Sequence, residues 1–161
     1  MAGGAKPEFP PLLPVGFHDI GIAGIRRLCV GRFPQSVTRP RIMQNLDALV
    51  ALVNQSGIVG ELWVDGSFVT DKLNPDDVDL AFVISATAFR SMDIRQRQFF
   101  DWFRTISLKD QYKCDNYCFV DDEAAPEGEW LRAYWLRQFG FSRASEMKGL
   151  AVVKVPFVVI P

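Results

Sequence analysis

The sequence is poor in the residues that most often build metal and redox sites. Of its 161 residues, three are cysteine and one is histidine. Three thiols (Cys29, Cys114 and Cys118) cannot form a disulfide framework, and an odd count suits a reducing compartment. A zinc site would need Cys29 or His18 to join Cys114 and Cys118 across long stretches of chain. His18 has no nucleophile at a telling spacing and reads as a structural or surface residue. Charge of one sign is lacking too. Eighteen Lys+Arg against nineteen Asp+Glu leave a formal charge of −1, which gives no global field to attract nucleic acid or an anionic membrane. DNA binding is therefore not expected. Long hydrophobic runs are also missing. The longest, residues 151–160, is broken by Lys154 and Pro156 and is too short to span a bilayer. The first residues lack the basic segment and apolar run of a signal peptide. A cytoplasmic protein with no membrane partner is expected. No Walker or Rossmann glycine pattern occurs, and no EF-hand loop with its central Gly and closing Glu.

What is present is an ordinary globular composition, 48% hydrophobic and 23% charged, at a length that suits one domain. Such a chain buries a sizeable core without a disulfide or metal staple. Residues 1–14 hold four prolines and read as an extended or disordered arm, leaving residues 15–161 as a single domain. A weak helix is expected over 20–30. A stronger one follows Thr38 as its cap, with Pro40 in the first turn and Ile42, Leu46, Leu49, Val50 and Val53 on one face. Strands are expected over 61–65, 78–84, 113–120 and Gly149–Val155, and helices over 92–104 and 127–139. In the strand 78–84, Val78, Leu80, Phe82 and Ile84 share one face, and Asp79, Ala81 and Val83 the other. This order predicts an α+β fold, a small mixed β-sheet with helices packed mainly on one side.

The informative stretch is Leu62-Trp63-Val64-Asp65-Gly66-Ser67, then nine residues, then Asp77-Val78-Asp79-Leu80. Gly66 allows a sharp turn at a strand end and close approach of a ligand. Ser67 offers a hydroxyl and a backbone N–H to phosphate oxygens. Asp77 and Asp79 are two apart at a strand start, so their side chains leave the same face. Two carboxylates so mounted suit Mg2+, a hard cation that takes oxygen ligands and shares them with phosphates.

This pattern resembles the signature of the DNA polymerase β-type nucleotidyltransferase superfamily. The specific match covers residues 62–84. More of the chain is similar to a group of short bacterial proteins assigned to that superfamily, through Gly66–Thr70, Pro75–Asp79 and, more weakly, the stretch from Tyr134-Trp135 to Lys148-Gly149. The resemblance implies a mixed sheet with two metal-binding Asp on one strand and a third carboxylate on a neighbour. Asp115 is the candidate, with Asp121 and Asp122 as rivals. It implies that Asp77, Asp79 and Asp115 hold two Mg2+ with an NTP, ATP before the others, and that Asp115 doubles as a base for the acceptor's proton. It further implies transfer of an NMP to a protein or RNA hydroxyl, in a toxin–antitoxin or defence setting. Lys72 or Lys148 would offset triphosphate charge. Two departures stand out: Asp65 occupies a position that is usually apolar, and Thr70-Asp71 stands where many small members carry Gly.

Another reading keeps the fold but not the chemistry, as a nucleotide-sensing or partner-binding module that uses its aromatic helices. Arg95, Arg97 and Arg104 interleave with Phe99, Phe100, Trp102 and Phe103, a mixture that suits nucleic acid. Packing of the aromatics on a sheet accounts for it more simply. The aromatics of 130–137 likewise recur at helical spacing and read as core.

Overall fold

The computed structural model describes residues 6–158. In chain order the elements are β1 (Gly16–Asp19), α1 (Gly21–Arg26, continued as a π turn, Arg27–Gly31), α2 (Arg39–Gln55), β2 (Gly60–Asp65), β3 (Val78–Ser85), α3 (Ala86–Arg90), α4 (Ile94–Thr105), α5 (Lys109–Tyr112), β4 (Cys114–Asp121), α6 (Gly128–Phe139) and β5 (Gly149–Val155). The five strands form one mixed sheet in the order β1-β5-β2-β3-β4. The outer pairs β1–β5 and β3–β4 are parallel, and β2 runs antiparallel to both β5 and β3. The fold is α+β, as the sequence predicts.

Alternation along β3 divides the molecule into two layers. Val78, Leu80, Phe82 and Ile84 enter the main core with Ile42, Leu46, Leu49, Val50 and Val53 of α2. From α4, Phe103 meets the Phe82 ring edge-on at 5.7 Å. Each such side chain contributes about 1.5–3 kcal/mol by leaving water. On the other face, Ala81 and Val83 join Trp63, Phe119, Phe139 and Val152 in a smaller cluster. Most of β3 is buried on both faces, and it is an inner strand, paired with β2 on one side and β4 on the other.

The aromatic run of residues 130–137 departs from expectation. Helix α6 covers the second face of the sheet, with Trp135 stacked on Phe119 at 5.5 Å. Trp130 is 81% exposed and Tyr134 52%, so only part of that run is core. The α2 cap also differs. Thr38 makes no capping bond; instead Ser36 Oγ accepts from the backbone N–H of Thr38 and Arg39. The part of the expected arm in residues 1–5 lies outside the described residues. Its later part is anchored and bends at residues 12–13, where Leu12 N–H donates to the Val69 carbonyl and Asp71 N–H to that of Pro10.

Candidate active site

Strand register assembles the site. Asp65 on β2 lies opposite Asp79 on β3, and Asp79 lies opposite Asp115 on β4. Asp77, two residues before Asp79, shares its side. The result is a row of carboxylates at one end of the sheet, on the face that carries α6. Asp121 and Asp122 fall at the far end of β4, where Arg132 pairs with Asp121 at 3.3 Å and Arg90 with Asp122 at 3.9 Å. Of the three candidates for the third carboxylate, Asp115 is the one in the row.

Two ammonium groups enter this row. Lys148 Nζ donates to both oxygens of Asp65, at 2.8 and 2.6 Å, in a pair whose side chains are only 14% and 5% exposed. Lys109 Nζ lies 2.8 Å from Asp115 Oδ2 and 3.2 Å from Asp77 Oδ2. Donation to Asp115, and next to Asp77, raises the Lys109 pKa and keeps it charged. Asp79 makes no ion pair among the described residues. Burial, then the neighbouring carboxylates Asp65, Asp77 and Asp115, push its pKa up to about 7 against the pull of Lys148. Asp65 is raised to about 6, chiefly by burial, although Lys148 and the Gly66 N–H oppose the shift. This accounts for the carboxylate that the sequence pattern left anomalous before Gly66: it has a buried cationic partner.

Gly66 has φ +84°, and a Cβ there would lie 2.6 Å from Asp79 Oδ2. Both the turn and the approach to Asp79 require a residue without a side chain. Ser67 opens a 3-10 turn, Ser67–Val69, and its carbonyl accepts from the N–H and hydroxyl of Thr70. The loop beyond is held by a residue that sequence reasoning missed. Arg39, fully buried at the start of α2, donates through Nη1 to the carbonyls of Cys29 (2.8 Å) and Phe68 (2.7 Å). Its Nη2 donates to Thr70 and Lys72, both at 2.6 Å, and Phe33 lies over the guanidinium at 3.7 Å. No motif marks such a residue, because an isolated Arg at a helix start ordinarily faces solvent. Asn74 secures the far side of the loop, its Oδ1 accepting from Ser36 Oγ and Val37 N–H.

Lys72 lies in this loop, but its ammonium pairs with Asp76 at 3.1 Å, at the surface. Lys148 is committed to Asp65. Cys114 and Cys118 face the main core, away from Asp115, and burial raises both thiols, that of Cys118 to about 11. His18 Nε2 lies 2.7 Å from the Pro14 carbonyl oxygen.

Among the described residues, no three carboxylate, imidazole or thiol groups close on one metal-sized point. The cation between Asp77 and Asp115 is Lys109. The donors of the row are carboxylate oxygens, the ligand type that a hard divalent cation takes, and its carboxylates outnumber its ammonium groups. A groove of about 700 Å3 opens elsewhere on this sheet face, lined by Phe17, Trp63, Val83, Arg132 and Lys154 among others. It contains none of the site carboxylates Asp65, Asp77, Asp79 and Asp115.

A family of unknown function, DUF6932, has a model that matches residues 7–154. No curated protein and no solved structure matches the chain.

Proposed function

The chain belongs to the DUF6932 family, and we propose that it is a Mg2+-dependent nucleotidyltransferase that moves AMP from ATP to a hydroxyl on protein or RNA. The observation that carries this reading is the alignment of Asp79 with Asp115 across β3 and β4, with Asp77 and the bare Gly66 beside them. In such a transfer the acceptor oxygen bonds to the α-phosphorus. The bond from that phosphorus to the αβ-bridging oxygen breaks, and pyrophosphate leaves with the electron pair. Asp77, Asp79 and Asp115 would hold Mg2+, which when bound supplies Lewis-acid stabilisation of phosphoryl charge. The strands mount the carboxylates rigidly. The Gly66 turn brings its loop against Asp79, Ser67 turns its hydroxyl toward a phosphate, and Lys72 offsets its charge by leaving the exposed Asp76. Lys109 is held through Asp115 Oδ2, so Oδ1 is left to take the acceptor's proton.

The test is transfer of label from ATP carrying 32P at the α-position, offered with cellular RNA and protein fractions. The reading predicts label in one fraction with wild type and none with Asp79→Asn. Trp130, Leu131 and Tyr134 are exposed on α6, and such an aromatic surface favours a second reading, a non-catalytic partner-binding module. That reading predicts no transfer by either protein and partner binding that survives Asp79→Asn.

A further inference from the structure

The two ammonium groups at the carboxylate row are held differently. Lys148 is buried against one carboxylate. Lys109 spans two, joining a residue that precedes β3 to a residue on β4, as a metal ion shared between two carboxylates does. Its side chain is about half exposed, so the pair is not enforced by burial of the ammonium.

The position of Lys109 is nevertheless built in. Leu108, the preceding residue, is fully buried in the main core. Its N–H donates to Asn116 Oδ1 at 3.0 Å, while Asn116 Nδ2 donates to the carbonyls of Phe103 at 2.7 Å and Ile106 at 2.9 Å. Asn116 adjoins Asp115, so two successive residues of β4 fix both the carboxylate and the backbone from which Lys109 reaches it. The short helix α5 then ends at Lys113, which takes the left-handed conformation at φ 52° and returns the chain to β4.

Charge points the same way. With the carboxylates ionised, as a bound cation would keep them, and Lys148 neutralising Asp65, Asp77, Asp79 and Asp115 face one ammonium, and the two negative charges left over equal the charge of a single divalent ion. Asp79, which has no ion pair, is the carboxylate that still lacks a cation.

We infer that Lys109 is the second cation of this site: its ammonium keeps the place between Asp77 and Asp115, and the chain holds one divalent ion, on the Asp79 side. This rests on the metal-dependent nucleotidyltransferase reading. It replaces two Mg2+ with one ion and a tethered ammonium.

The experiment counts Mn2+ bound per chain, from the free-ion electron paramagnetic resonance signal. The protein and α,β-methylene ATP are held at equal concentrations, well above their Kd. Wild type and Lys109→Arg are expected to take one ion, and Lys109→Met two. Lys109→Gln, read in the same way, guards against a folding defect in the Met variant. Two ions in both wild type and Lys109→Met, or one in both, would overturn the inference and leave the metal site standing. Mn2+ taken up in every one of these proteins only as α,β-methylene ATP alone takes it, in number and in affinity, would overturn both the inference and the nucleotidyltransferase reading.

Discussion

Ionising Asp79 in the folded chain adds a negative charge beside Asp65, Asp77 and Asp115, in a place where water cannot fully solvate it. Its folded pKa of about 7 lies above the ordinary value of 3.8. Between those values the folded protein keeps a proton that the unfolded chain has lost, so stability falls as pH rises across that window. Below about pH 4 both states are protonated and the loss disappears. Asp65, raised to about 6, acts in the same direction. Denaturant titrations in chelator are therefore expected to show wild type losing stability from pH 5 to pH 8. Asp79→Asn should flatten most of that slope and raise Tm at pH 8 by several degrees. Identical pH profiles would mean that Asp79 is not crowded as described. Arg39 gives a second residue-scale prediction. Removing its guanidinium leaves buried carbonyls without donors, at about 1–3 kcal/mol each, and Arg39→Met is expected to cost roughly 3–5 kcal/mol. Arg39→Lys should recover only part of this, because an ammonium cannot fork to carbonyls on several sides. Equal stability of Arg39→Met and wild type in urea would remove Arg39 from its place as the loop's anchor.

Among the elements, those with strong patterning were legible. The strand β5 occupies its expected span, and β3 and α2 carry their apolar residues on the faces that periodicity assigns. The strand β1 is not legible in the sequence, because four residues with Gly16 at the head have no pattern of their own. It is a strand through pairing with β5. The sequence points to Thr38 as the cap of α2 and the structure gives that role to Ser36, for a local reason. Ser36 and Thr38 both stand before the helix, and tertiary contact with Asn74 decides in favour of Ser36. Ser36→Ala is thus expected to cost about 1 kcal/mol, the usual worth of a cap. Thr38 Oγ1 is buried without a partner among the described residues, and Thr38→Ala should cost under about 0.5 kcal/mol. The reverse order of losses in thermal melts would restore Thr38 as the cap. Within the site, the spacing of Asp77 and Asp79 places them on one face, and Asp115 is a candidate only through the element order that the resemblance implies. Asp65 was visible only as an anomaly, although alternation with Leu62 and Val64 puts it on the Trp63 face, which register makes the Asp79 face. Lys109 was not visible, since nothing in residues 106–113 encodes the fold back against β4.

For the whole molecule, a formal charge of −1 hides a strongly polarised interior surface. The sheet gathers carboxylates from three strands and the segment before β3 into one row, and returns Lys148 and Lys109 to it from opposite sides. Helix α6 covers the aromatic middle of the same face. This arrangement is stable as a protein only if the surplus negative charge is tolerated or met by a cation, and the proposed function makes that cation part of the working state. The most direct measurement is thermal stability with each NTP, with and without Mg2+, for wild type and an Asp77→Asn, Asp79→Asn double variant. A nucleotide at about 100 times its Kd adds about 2.7 kcal/mol, or several degrees in Tm. The account predicts such a rise for wild type with ATP, dependent on Mg2+ and absent from the double variant. A wild-type Tm that no NTP moves in the presence of Mg2+, or an equal rise in the double variant, would contradict it.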